Sequence, residues 1–334
     1  MVSGPGASRD RGEELRESSR ILASKLWLVW RALRSVALFM VDEHRRGTLG
    51  VNLRSIAKAK GIILESDMSH AELLEEKAAK LGSRPFLKFK GEVITYKEMD
   101  ANANRVANFL WEQGGGPGAG LAIVMKNTPR WLDVFFGLEK LGMYTVPTNV
   151  ALRGDQLTYI LDNSEARFLL IDHDLLGYYE AIADRVPGIE KAIVNTERAP
   201  EGYAVPEGML SLQDAYGPGS DASRPPLSYD PDDLCIIMYT SGTTGLPKGV
   251  VYRYNSTNVK PLSILTRILM NKGDVAYTCY PLFHANALFL TVTTTMHGEG
   301  MSRLARSSAR AASGTKSGST GQRRSTGSEP SCPS

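Results

Sequence analysis

The residues best suited to chemistry form one string, Cys235-Ile-Ile-Met-Tyr-Thr-Ser-Gly-Thr-Thr-Gly-Leu-Pro-Lys-Gly-Val-Val251. Its first part is apolar and reads as a buried strand. That strand runs through Tyr239 straight into Thr240, Ser241, Gly242, Thr243, Thr244 and Gly245. Glycines let a backbone turn tightly and bring its N–H groups close to a ligand. Successive N–H groups in such a turn form a concave, anion-binding nest. The Thr and Ser hydroxyls add donors for phosphate oxygens. Pro247 stiffens the exit, and Lys248 adds a fixed positive charge. The chemistry implied is phosphate binding, but not by a Walker A loop. That loop needs Gly-x-x-x-x-Gly-Lys-Ser/Thr, and the run from Gly242 to Lys248 lacks this spacing.

The elements that must position this loop alternate in type. Helical periodicity over 71–81 is followed by a strand at 86–89 and a turn at Gly91. A second helix spans 96–113, with Met99, Val106, Leu110 and Trp111 spaced for one face. The Gly-rich stretch 114–120 leads into an apolar strand at 121–125. A helix over 129–141 stops at Gly142, as a C-cap glycine would stop it. Strands at 144–147, 167–172 and 191–194 alternate with helices over 155–163 and 175–186. This order predicts an α/β fold, with mostly parallel sheets flanked by helices. Residues 198–232, rich in Pro, Gly and Asp, read as a connecting loop.

Composition narrows the class. Of 334 residues, 42% are hydrophobic and 22% charged, an ordinary globular balance. The net charge is +3, and basic residues after Met301 account for its sign. The near-neutral body gives no reason to expect nucleic-acid binding. Cys235, Cys279 and Cys332 show no metal spacing, and so sparse a set fits a reducing cytoplasm. Residues 1–20 are polar and are expected to be disordered. Residues 21–68 read as a helical lead-in, whose segment 26–41 is apolar but broken by Arg31 and Arg34. It is shorter than the roughly 20 residues a spanning helix needs. It fits either a helix lying on a membrane, with Trp27 and Trp30 at the headgroups, or one packed on the protein's own surface.

The string YTSGTTGLPKGV resembles the phosphate-binding signature of the adenylate-forming superfamily: acyl-CoA synthetases, luciferases and peptide-synthetase adenylation domains. Other blocks add to the resemblance. They are Ile94-Thr-Tyr-Lys-Glu-Met with Asn104-Arg-Val-Ala, Asn127-Thr-Pro-Arg-Trp, Leu141-Gly-Met-Tyr-Thr-Val-Pro-Thr-Asn-Val, and Tyr280-Pro-Leu-Phe-His-Ala-Asn-Ala. Together they cover about residues 69–300 and are most similar to the very-long-chain acyl-CoA synthetase and fatty acid transport protein branch. One departure is Tyr254, in a neighbourhood where relatives often have His.

The resemblance implies part of the large amino-terminal domain of such an enzyme, without its small carboxy-terminal domain. It implies that Tyr239, Thr240, Ser241, Gly242, Thr243, Thr244 and Gly245 bind ATP phosphates, with Thr244 near a phosphate-bound Mg²⁺. Lys248 would position departing pyrophosphate, and His284 would sit where ATP and the acyl chain meet; these are the two expected catalytic residues. The reaction would join a fatty acid to AMP and pass it to CoA. The alternatives are a non-catalytic fatty-acid-binding or uptake protein at a membrane, and a ligase for another acid, such as carnitine or an aryl acid.

From Met301 the character changes: the stretch to Ser334 is Ser-rich, basic and free of aromatic residues. It is expected to be a disordered tail. Its codons, read with the adjacent base offset, admit a solution with aromatic and aliphatic residues that resembles the superfamily's continuation, so a frame error is expected. A copy that stops there would lack the adenine- and Mg²⁺-binding blocks, and poor solubility and little ligase activity are expected of it.

Overall fold

The computed structural model describes residues 68–223, 225, 229–240, 246–254 and 270–305. The expectations for 1–20, for the lead-in up to residue 67 with its segment 26–41, and for the tail after 305 lie outside these. Among the described residues no helix is long and apolar enough to cross a membrane.

Two sheets carry the fold. The larger has the strand order β7-β6-β5-β3-β4-β8-β9. In chain order these are β3 (Gly120–Val124), β4 (Tyr144–Pro147), β5 (Phe168–Asp172), β6 (Lys191–Asn195), β7 (Leu210–Ser211), β8 (Leu234–Thr240) and β9 (Lys248–Arg253). All neighbours pair in parallel except β9, which runs antiparallel to β8. The smaller sheet has the order β10-β11-β1-β2. Its members are β1 (Pro85–Phe89), β2 (Glu92–Thr95), β10 (Val275–Thr278) and β11 (Met301–Leu304).

Local chemistry starts the helices where the periodicity places them. The helix α1 (His70–Leu81) is opened by a capping box between Ser69 and Glu72, and α2 (Tyr96–Glu112) by one between Thr95 and Glu98. Pro129 occupies the first turn of α3 (Pro129–Lys140), where its missing N–H costs nothing. On the other side of the larger sheet lie α4 (Gly154–Asn163) and the short α5 (Leu176–Glu180). The central strand β3 is buried on both faces. Leu121 and Ile123 join one core with Val106, Leu110, Trp131 and Phe135, while Ala122 and Val124 join the other with Leu157, Ile160 and Leu176. The period-two alternation thus splits one strand between two helical layers.

Gly120 opens β3 because Tyr144 of the neighbouring strand lies over it. A Cβ there would fall 2.2 Å from the Tyr144 ring. That ring is buried, and its hydroxyl donates to the carbonyls of Ser164 and Glu165 at 2.8 and 2.9 Å, so it cannot swing aside freely. Gly120→Ala is therefore expected to cost about 1–3 kcal/mol of stability, measured by urea unfolding.

Every residue of α3 except Arg130 is buried, including Asp133, Glu139 and Lys140. Asp133 Oδ2 accepts from Arg130 Nη1 at 3.0 Å and from the Tyr216 hydroxyl at 3.0 Å. Burial raises its pKa from the ordinary 3.8 to about 6, against the opposing pull of Arg130. Between those values the folded chain holds a proton that the unfolded chain has released. Asp133 therefore contributes stability that is full below pH 3.8 and is lost as the pH rises through about 6. Asp133→Asn is expected to remove this component, a slope of at most about 1.4 kcal/mol per pH unit, in urea titrations across that range.

Three sequence expectations change. The helix expected over 175–186 is limited to α5, with single 3₁₀ turns at His173–Leu175 and Ala183–Arg185. The connecting loop contains β7 and a 3₁₀ turn, Leu212–Tyr216, because Leu212 and Ala215 reach the core. Residues 301–304, expected in the disordered tail, instead form β11, which pairs in parallel with β1 and β10; Ser302 and Leu304 are buried.

Candidate active site

The phosphate-loop string sits at the end of a hairpin. β8 pairs with β4 in the parallel sheet, and β9 folds back along β8 so that Thr240 faces Lys248 and Tyr239 faces Gly249. Thr240 and Lys248 therefore stand at the carboxyl edge of the parallel strands, where open α/β sheets bind ligands. Ser241, Gly242, Thr243, Thr244 and Gly245 lie outside the described residues; the frame that holds them does not. The Thr240 hydroxyl donates to the Lys248 carbonyl at 3.4 Å, and both residues are exposed at the mouth of the turn. Tyr239 is half-buried, and its hydroxyl donates to Asn163 Oδ1 at 2.7 Å. Burial pushes its pKa up to about 12, so it is a neutral phenol that braces the strand end.

His284 ends a turn in which its N–H donates to the Pro281 carbonyl at 3.0 Å. Its own carbonyl accepts from Ala287 and Leu288 and so starts a helical run over 285–297. The middle of this run, Leu288–Thr293, is π-helical, a form that recurs at functional sites. The His284 ring is exposed beside Phe283, with centroids 4.5 Å apart. Partial desolvation lowers its pKa below the ordinary histidine value, so it is neutral at pH 7. The elements that carry the two motifs touch through aromatic rings just beyond them. Tyr252 of β9 packs on Phe289 of the helical run at 5.5 Å, and Phe289 stacks on His70 at 5.8 Å.

Tyr254 is a core residue behind this hairpin. It stacks on Tyr229 at 4.2 Å and donates to the Met143 carbonyl at 3.1 Å. Asn127 and Tyr252 had no assigned role from the sequence, although Asn127 stands in a quoted block. Their partners lie far along the chain, and no local spacing reveals them.

The expected Mg²⁺ contact rests on Thr244, outside the described residues. Among the described residues, one group of three or more His, Cys, Asp or Glu side chains converges: His70, Glu139 and Cys235, with donor atoms within 4.8 Å of one another. Sulfur and nitrogen donors do not suit Mg²⁺, and these atoms already hydrogen-bond among themselves.

Comparison with known proteins shows the family. The family model described as AMP-binding enzyme matches residues 74–313. A long-chain-fatty-acid–CoA ligase of Thermus thermophilus is 31% identical over 242 residues, covering 71% of this chain and 43% of that protein. Long-chain fatty acid transport protein 6 of Mus musculus is 31% identical over 235 residues, covering 69% and 36%. The chain thus spans less than half the length of these relatives. Among solved structures, the inhibitor-bound N-terminal domain of FACL13 from Mycobacterium tuberculosis superposes with a TM-score of 0.62 at 25% identity, covering 71% of this chain and 57% of that one. An anthranilate CoA ligase in complex with anthranoyl-AMP superposes with a TM-score of 0.65 at 23% identity, covering 73% and 46%, which speaks to the fold alone. The family match runs through both sheets, the phosphate-loop hairpin and the His284 turn, and on that ground the chain belongs to the AMP-binding enzyme family.

Proposed function

We propose that this chain carries the phosphate-binding and acid-facing part of an ATP-dependent ligase that converts a long-chain fatty acid to its acyl-adenylate and then to its CoA thioester. The β8–β9 hairpin carries the reading: it sets Thr240 and Lys248 side by side at the mouth of a Thr/Ser/Gly turn. Adenylation forms a bond between a carboxylate oxygen and the α-phosphorus and breaks the bond to pyrophosphate. Both reactants are anions, so fixed donors and positive charge at the phosphates must offset their repulsion. The turn's N–H and hydroxyl groups and Lys248 are suited to that work at the β- and γ-phosphates. Mg²⁺, when bound, would supply further charge there. The neutral ring of His284 stands at the head of the helical run that packs on β9 through Phe289 and Tyr252, and it is the group read here as facing the acid. The names of the two relatives above support a long acyl chain as substrate.

β9 leaves Val250 and Val251, on its two faces, exposed at a sheet edge, which favours self-association of this polypeptide. We further infer that the codons after Gly300 include a frame change; nucleotide sequencing across them should show a family-like continuation in another frame, and a single clean frame would sink that inference. The functional reading is tested by calorimetric titration of the purified chain with ATP, with pyrophosphate, and with a long-chain fatty acid in the presence and absence of ATP. Binding of the acid that strengthens with ATP is expected. Acid binding indifferent to ATP would favour the non-catalytic lipid-binding alternative, and failure to bind either ATP or pyrophosphate would overturn the proposal.

A further inference from the structure

Pro281 has no N–H, so the nearest backbone groups that can anchor the His284 turn are the Tyr280 carbonyl before it and the Leu282 N–H after it. One buried side chain takes both. Asn127, 2% exposed, donates from Nδ2 to the Tyr280 carbonyl at 3.0 Å and accepts at Oδ1 from the Leu282 N–H at 2.8 Å. Nδ2 also reaches the Ala305 carbonyl, just past β11, at 3.4 Å. The Asn127 carbonyl is itself held by Arg198 Nη2 at 3.0 Å. The residue lies between the fully buried strand β3 and the largely buried helix α3, so its backbone stands on a rigid platform. An amide offers one donor group and one acceptor, the complement of what the backbone around Pro281 presents. Leu282 is fully buried, and the Pro281 carbonyl beside it closes the turn onto the His284 N–H.

We propose that Asn127 is the positioning residue of the His284 turn: its side-chain amide clamps the backbone on both sides of Pro281 and so fixes where the imidazole faces the acid. The role for the imidazole rests on the acid-activating reading above; the clamp does not. Asn127→Asp keeps the shape and loses the donor, while Asn127→Ala loses both functions.

Histidine-selective NMR of the full chain, assigned with a His284→Gln variant, reads the clamp directly. In both Asn127 variants the His284 resonances are expected to shift and its titration to move up toward the ordinary histidine range. ATP-dependent binding of a long-chain fatty acid is expected to weaken about tenfold, the equivalent of one buried hydrogen bond, with pyrophosphate binding within about twofold of wild type. A folded variant whose His284 resonances and titration stay in place overturns the proposal. Amide hydrogen exchange of the wild-type chain needs no variant. The Leu282 amide should exchange as slowly as those of β3, and exchange at the rate of an exposed loop overturns the clamp even where the variants fail to fold. A shifted His284 in a protein whose wild type binds no acid would leave the clamp standing and remove the functional reading instead.

Discussion

Replacing Glu139 by alanine is expected to lower the unfolding free energy by about 3–5 kcal/mol, the range for removing one partner from a buried polar network. Glu139 is fully buried near the end of α3 and joins three elements. Its Oε1 contacts His70 Nδ1 at 2.8 Å and accepts from Cys235 Sγ at 3.2 Å. Its Oε2 accepts from the Ala71 N–H at 2.9 Å, one of the first N–H groups of α1 and without a partner inside that helix. Alanine would leave the imidazole nitrogen, the thiol and this N–H buried and unpaired, and it would open a cavity among them. Glutamine keeps one oxygen acceptor at nearly the same volume and should cost less, about 1–2 kcal/mol. The effect bears on the site because Cys235 lies in β8, the strand that delivers Thr240. Loosening it should raise amide exchange along β8 as well as lower the denaturation midpoint. A loss below about 1 kcal/mol for Glu139→Ala would show that water or a rearranged partner replaces the carboxylate.

The parts of the fold legible in the sequence are those whose side chains carry the pattern. β3 is an unbroken apolar run, and β5 is one up to its last residue, Asp172, because parallel strands are covered on both faces. Helical periodicity places the starts of α1 and α2 within one sequence position of where they fall, and the structure shows a capping box at each. β9 and β11 carry no such pattern. The first four residues of β9 are exposed, and it is a strand because β8 offers it a partner. β11 contains Ser302 and Arg303 and owes its conformation to backbone pairing on both sides, with β1 and β10. Polar residues on a helix read as a solvated face, yet Asp133, Glu139 and Lys140 are buried. Lys140 is held by Glu75 at 2.5 Å and Asp100 at 2.9 Å, contributed by α1 and α2. The Thr/Ser/Gly string proposed to bind phosphate stands out in the sequence because its residue types are local, seven positions between two strand ends. The clamp on the His284 turn does not, because Asn127 and Leu282 are 155 positions apart.

Lys248→Ala is expected to weaken pyrophosphate and ATP binding by about 10- to 100-fold, the worth of a hydrogen bond between charged groups. Lys248 is the first residue of β9 and is exposed, so its ammonium can follow a phosphate without strain on the hairpin. The substitution should leave stability nearly unchanged, since its backbone pairing with Thr240 does not involve the side chain. Exposure also means that salt screens it. The gap between wild type and variant should narrow as ionic strength rises from 0.01 to 1 M, where the screening length falls from about 30 to about 3 Å. A nest of backbone N–H groups would survive both changes, so the residual affinity of the variant measures what the turn contributes without the lysine. Thr240→Ala removes one neutral hydroxyl and should cost less than Lys248→Ala. Equal affinity in wild type and Lys248→Ala at low salt would mean that the anion binds elsewhere, and the assignment of the hairpin as the phosphate site would fall with it.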